Sequence, residues 1–164
     1  MARAANTGLL KTENPDIGNA CVVVIRTEWN SAIVDELEKG CVDELQQHKV
    51  KKIITHTVPG AFEIPFAVLS FLQSATPRKR PDAFIALACV IRGETAHFDY
   101  VCKAVTEGVL QLNLSLPMPT IFGVLMAENE KQARDRAGGR GGHRGREAAI
   151  TALKMISLNR SLKK

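Results

Sequence analysis

The sequence predicts an α/β fold: a three-layer α/β/α sandwich on a four-stranded parallel sheet, flavodoxin-like in arrangement. Two observations predict it. Four apolar runs of strand length recur, at 20–25, 53–58, 83–91 and 120–125. The segments between and after them repeat their apolar residues every three or four positions, as amphipathic helices do. The resulting order, β-α-β-α-β-α-β-α-α, is the alternation that produces parallel strands with helices on both faces.

Each element has a local cause. The first run, 20–25, is β-branched and continuous, as a buried strand should be. Asn30 or Ser31 is placed to cap the helix that follows. On that helix Ile33, Leu37, Cys41 and Leu45 share one face, and Asp35, Glu36, Lys39 and Asp43 the other. The second run, 53–58, is stopped by Pro59-Gly60. Pro65 fits only the first turn of a helix, so the second helix begins near Ile64, runs to about Gln73, and leaves Ala61, Phe62 and Glu63 in the turn. A basic, proline-bracketed loop at 74–81 leads to the third run, 83–91. After the turn at Gly93 a helix is expected, with Thr95 and His97 in its opening turn. Its stripe is Phe98, Val101, Val105, Val109 and Leu112, with Lys103, Glu107 and Gln111 facing away. After the fourth run, two helices are expected at 129–137 and 146–158, joined by a glycine-rich link.

The chain has 164 residues, enough for one domain with a substantial core. We expect residues 1–18 to form a partly ordered N-terminal arm and 19–164 a single domain. A hydrophobic fraction of 45% excludes a largely disordered chain. No apolar run approaches the length of a membrane span. No secretory h-region follows the early arginine, so a cytoplasmic location is expected. The four cysteines form no C-x-x-C pair and read as reduced core residues. The histidines lack zinc-site spacing, so no metal is expected. The net charge of +5 is concentrated at 134–146 and in the Lys163-Lys164 tail. It suits an anionic small substrate as well as it suits nucleic acid.

In parallel α/β folds, ligands bind beyond the carboxyl ends of the strands. The residues that look least like packing cluster there. Trp29-Asn30 follows the first strand, Ala61-Phe62-Glu63 the second, and the 93–97 stretch the third. His97 is the acid–base candidate, set against a histidine that only caps or packs. Arg92, Glu94 and Thr95 could shape an anion pocket at a helix N-terminus, set against loop polarity plus an N-cap threonine. Trp29, the only tryptophan, suits stacking on a heterocycle, although a core or interface role is commoner. Glu63, between two apolar neighbours, needs a partner. Arg136 could clamp a phosphate or sit on a solvated face. The segment GGRGGHRGR at 138–146 looks superficially like an RNA-binding RGG run, but it is short, unrepeated and free of aromatics. It reads as a basic turn between helices, and no nucleic acid or membrane partner is expected.

Three motifs, VPGAFEIP at 58–65, VIRGETAHFDYV at 90–101 and IFGVL at 121–125, resemble those of the 6,7-dimethyl-8-ribityllumazine synthase family over most of the chain. The resemblance implies a transferase of riboflavin biosynthesis. It joins 5-amino-6-(D-ribitylamino)uracil to 3,4-dihydroxy-2-butanone 4-phosphate, releasing phosphate and water without a metal or organic cofactor. It implies that Trp29, Ala61, Phe62, Glu63, Cys89, Val90, Ile91 and Phe122 bind the pyrimidine and ribityl parts. Glu94, Thr95 and Arg136 would bind the butanone phosphate, and His97 would move protons. It also implies homo-oligomers built from pentamers, which in some members stand alone or stack as decamers and in others form sixty-subunit shells, the form the short final link favours here, with Phe122 and Arg136 reaching a neighbour's site and riboflavin synthase as a protein partner. Five positions depart from the common pattern: Glu28 replaces a basic residue, Trp29 a phenylalanine, Ala88 a glycine, His143 an asparagine and Arg144 a lysine. Two rival classes stand beside the enzyme: a non-catalytic flavin- or lumazine-binding shell protein of the same fold, and a nucleic-acid module built on the glycine–arginine segment.

Overall fold

The computed structural model describes Ile17 and residues 19–163. Apart from Ile17, the expected N-terminal arm lies outside the described residues, or is too short within them to test. Strands β1 (Cys21–Thr27), β2 (Lys52–Val58), β3 (Ala83–Ile91) and β4 (Thr120–Ala127) pair in parallel in the order β2-β1-β3-β4. Helices α1 (Ser31–Gln47), α2 (Ile64–Ser74) and α3 (His97–Ser115) connect them, and single 3-10 turns occupy Ala61–Glu63 and Pro77–Lys79. The chain ends with α4 (Glu130–Arg136) and α5 (Arg144–Ser161).

Side-chain alternation sorts the sheet into two covered faces. Val22, Val24, Ile85, Leu87 and Ile121 pack with Cys41 and Leu45 of α1 and with the alanines and leucine of α5. Val23, Ile25, Phe84, Ala86 and Ala88 pack with Ile64 and Val68 of α2 and with Val105, Val109 and Leu112 of α3. The α3 stripe is therefore as expected, though Phe98 and Val101 at its start are only half-buried. A smaller cluster at the carboxyl end joins Ile33, Val34 and Leu37 to Cys89, Leu125, Ala127 and Ala133. All four cysteines are free. Cys41 and Cys89 are buried, and burial raises their thiols to about 12 and about 11, so both are inert at neutral pH. Cys21 and Cys102 are only half-buried and are not the core residues expected.

Several local expectations need correction. Asn30 does stand at the N-cap of α1, but its side chain makes no capping bond there. Asn129 does cap α4, accepting from the Gln132 N–H at 3.0 Å. The glycine-rich link is no simple turn. Strands β5 (Ala137–Gly139) and β6 (Gly142–His143) form an antiparallel hairpin there, and α5 starts at Arg144, two residues early. Gly138, at φ 115°, makes the hairpin possible. Glu44, on which the helix pattern was silent, is buried. It accepts from Arg146 at 3.1 Å, so an ion pair pins α5 to α1.

The α1–α5 contact is unusually close. A Cβ at Gly145 would stand 1.9 Å from the Leu37 carbonyl oxygen. Beside it, the His143 ring fills the space over Gly40, where a Cβ would lie 2.2 Å from the ring. His143 Nδ1 is buried without a hydrogen-bond partner. Burial, then Arg146, lowers its pKa from the ordinary 6.5, while Glu36 and Glu147 oppose the shift. Between the two values the unfolded chain binds the extra proton and the native chain does not, so stability falls as pH drops through about 6.5. We predict that urea midpoints fall between pH 7.5 and pH 5.5, and that His143→Asn flattens this slope. An equal slope in the variant would remove His143 as its source.

Candidate active site

The strand carboxyl ends open into a crevice of about 490 Å³, within the range of small-molecule sites. Its wall carries Thr27, Trp29 and Asn30 after β1, residues 59–63 after β2, Cys89, Val90 and Ile91 at the end of β3, and His97 and Val101 of α3. Eight of the expected site residues meet here: Trp29, Ala61, Phe62, Glu63, Cys89, Val90, Ile91 and His97.

The two aromatics are presented rather than packed. Trp29 is 74% exposed and Phe62 64% exposed. The commoner core role for Trp29 is thereby overturned. Its backbone N–H donates to the Pro59 carbonyl at 3.2 Å, which holds the two loops together. Glu63 finds its partner locally: its carboxylate accepts from the Gly60 N–H at 3.0 Å across the 3-10 turn. That bond presets the carboxylate at the rim. The crevice floor is set by Asn30, whose Nδ2 donates to the Cys89 carbonyl at 2.8 Å. The left-handed backbone at Asn30, φ 56°, makes that reach possible while its carbonyl accepts from Ile33 and Val34. The amide thus closes the gap between β1 and β3 at the mouth.

The remaining expected residues lie elsewhere. Glu94 and Thr95 are exposed in the loop before α3 and do not line the crevice. Thr95 is not the helix cap: α3 begins at His97, and Ala96 occupies the cap position with no side-chain bond. Arg92 is not free to hold an anion, because its guanidinium pairs with Asp99 and Glu128. Phe122, half-buried on β4, packs against the α2–α3 core cluster. Arg136 donates to the Gly141 carbonyl and pairs with Glu147 at 2.9 Å. Arg144 joins Glu147 to the Phe122 carbonyl, at 3.4 and 2.8 Å. No sequence pattern indicated this Arg136–Glu147–Arg144 network, although the i, i+3 spacing of Arg144 and Glu147 on a helix could have suggested one pair.

A second cavity, about 350 Å³, opens at the opposite end of the sheet between Arg80, Asp82, Met118, Ile156, Arg160 and Lys163. It holds none of the expected residues. Among the described residues, no group of three or more His, Cys, Asp or Glu side chains is placed to hold a metal ion. No described helix is long and apolar enough to cross a membrane.

Residues 19–160 match the family model described as 6,7-dimethyl-8-ribityllumazine synthase. The chain belongs to this family. Curated relatives agree along nearly their whole length. The 6,7-dimethyl-8-ribityllumazine synthase of Parabacteroides distasonis is 42% identical over 147 residues, 88% of this chain and 89% of its own. That of Cytophaga hutchinsonii is 44% identical over 147 residues, covering 88% and 90%. That of Porphyromonas gingivalis is 47% identical over 135 residues, covering 81% of each. The crevice is thus the candidate active site of a lumazine synthase family member.

The geometry makes Asn30 the test of how the mouth is built. Asn30→Ala loses the bond to Cys89 and puts a Cβ-bearing residue without a local polar group at positive φ. We expect a loss of about 2 kcal/mol, from one net hydrogen bond plus the left-handed cost. Asn30→Gly should lose only the hydrogen-bond part. Urea melts of the two variants distinguish these contributions, and equal losses would remove the backbone's share.

Proposed function

We propose that this chain condenses 5-amino-6-(D-ribitylamino)uracil with 3,4-dihydroxy-2-butanone 4-phosphate to 6,7-dimethyl-8-ribityllumazine, with release of phosphate and water. The observation that carries the reading is the convergence in one crevice of two exposed aromatics, a preset carboxylate and an imidazole, in a chain of this family. Nothing in the site favours a binding-only shell protein, since the proton-transfer candidate stands in the wall.

Each part of the reaction has a residue suited to it. The flat pyrimidinedione is matched by the faces of Trp29 and Phe62. The ribityl chain needs a hydrogen-bond acceptor, and Glu63 offers one. Cys89, Val90 and Ile91 end β3 at the floor, where main-chain groups can read the ring edge. Imine formation, phosphate elimination and ring closure each move protons, and His97 is the wall residue able to accept and return them. Holding two substrates in register supplies much of the acceleration.

The phosphate is the incomplete part. Arg136 and Phe122 do not reach the crevice of their own chain. We infer that a neighbouring copy supplies them, while Glu94 and Thr95 offer the loop before α3 to the phosphate. Exposed Phe66 and Leu69 on α2, and Tyr100, Leu110 and Leu114 on α3, are the apolar surface that such a neighbour would cover. The reading extends to pentamers and, with the short link between α4 and α5, to a sixty-subunit shell. Riboflavin synthase would then be the partner that consumes the product, in the cytoplasm.

Mixing the full chain with both substrates should produce lumazine fluorescence, and no product would overturn the reading. His97→Ala should lower kcat by at most about 10²–10⁴-fold, and Arg136→Ala should chiefly raise KM for the phosphate-bearing substrate. An unchanged kcat in the His97 variant would end its assigned role. Light scattering that finds only a pentamer would end the shell.

A further inference from the structure

The loop that carries Glu94 and Thr95 has no visible means of support of its own. Residues 93–96 are all exposed. Nothing lies within 4 Å of a Cβ at Gly93. No side-chain hydrogen bond of Glu94 or Thr95 is present among the described residues, and α3 starts without a side-chain cap. Yet His97 follows this loop directly, and its ring must stand at one place in the wall.

The loop is instead held at its ends by one guanidinium. Arg92 immediately follows β3, its backbone N–H bonded to the Ala127 carbonyl at 2.9 Å. Its two terminal nitrogens donate to both carboxylate oxygens of Asp99, at 3.2 and 2.9 Å. Its Nε donates to Glu128 at 2.8 Å. Its planar face lies 4.2 Å over the Phe98 ring. The Asp99 N–H bonds back to the Ala96 carbonyl at 3.0 Å. One side chain therefore joins the end of β3, the first turn of α3 and the exit from β4. Residues 92–99 become a closed ring with His97 inside it.

Resting on the condensation proposed above, we propose that Arg92 is a positioning residue. It closes the 92–99 loop against β4, and so fixes the His97 imidazole and the phosphate-facing backbone at 94–95. Lysine could not do this, because the task needs a rigid fork in two directions and a flat face for stacking. The hydrogen bond from Arg92 also lowers the Asp99 carboxyl from its ordinary value. Both carboxylate partners are solvent-exposed, and such ion pairs add little to global stability. Removing Arg92 should therefore loosen the loop without unfolding the protein, which separates positioning from a structural role.

The full-length chain carrying Arg92→Ala or Arg92→Lys tests this by amide hydrogen exchange and two-substrate kinetics. In Arg92→Ala, exchange at the Asp99 amide, which is bonded to the Ala96 carbonyl at the end of the loop, should quicken at least about tenfold, while β3 amides and the thermal midpoint stay near the parent's. The same variant should lose about 10–100-fold in kcat/KM, the scale of a misplacement of about 1 Å at a reacting group. Arg92→Lys should not rescue it, and Asp99→Asn should add little to Arg92→Ala. Unchanged exchange at the Asp99 amide overturns the ring whether or not lumazine forms. Quickened exchange with parental kcat/KM overturns the catalytic consequence. A lowered melting temperature with quickened exchange throughout α3 overturns positioning in favour of a structural role. Should the parent chain form no lumazine, the proposed reaction fails, and with it Arg92's part in it.

Discussion

Strand β3 is the constraint on which the rest of the structure depends. It pairs with β1 on one side and β4 on the other, and its first seven residues are buried. Every main-chain polar group in that stretch must be satisfied by a neighbouring strand, because no water reaches it. Alternate side chains go to opposite faces: Phe84, Ala86 and Ala88 toward α2 and α3, Ile85 and Leu87 toward α1 and α5. The alanines leave room for helix backbones to approach. With both faces covered, the ends of the strands are the open ground. At the carboxyl end the chain must turn out to solvent at Arg92, and that exit becomes one wall of the crevice.

The crevice is assembled mainly from main-chain geometry, with few polar side chains. Asn30 bridges β1 and β3 by giving up its expected cap for a bond to the Cys89 carbonyl. Glu63 holds its own turn through the Gly60 N–H. Each bond orders a rim residue that has little packing around it, which lets Trp29 and Phe62 stand exposed without a mobile backbone beneath them. Exposed aromatics of this size cost apolar hydration in the free chain. Their arrangement around a cavity that fits a small heterocycle accounts for keeping them there.

Periodicity alone was enough to read the layer structure, and the reason is physical. Strands buried on both faces must be continuous apolar runs, and helices buried on one face must be striped. The meeting of Trp29, residues 61–63 and His97 was legible because parallel topology brings alternate loops to one edge. What failed to show was anything decided by tertiary contact. The Asn30 side chain has a local and a distant partner available, and only the folded sheet selects the distant one. The hairpin at 137–143 depends on Gly138 at positive φ and on His143 packing over Gly40, about a hundred residues away in sequence. The burial of Glu44 depends on Arg146, equally remote. The anion-pocket reading of Arg92 fails for the same reason: Glu128 lies 36 residues ahead, and no local pattern announces it.

The division of the expected site residues has its own logic. Those proposed for the pyrimidine and ribityl parts, Phe122 aside, lie together at the ends of β1, β2 and β3 of one chain. Phe122 and Arg136 lie apart from them, yet they are not independent of each other. Arg136 is bonded to Glu147, Glu147 to Arg144, and Arg144 to the carbonyl of Phe122. A hydrophobic side chain on β4 and a cation on α4 are thus held to one frame by the first turn of α5. The Glu147 carboxylate, shared between two guanidiniums, leaves that frame with positive charge to spare, as a dianionic phosphate requires. A neighbour that offers one of these residues to a crevice offers the other in a set relation to it. On the proposed function, ring stacking and phosphate binding would then arrive as one surface, aligned before any substrate enters.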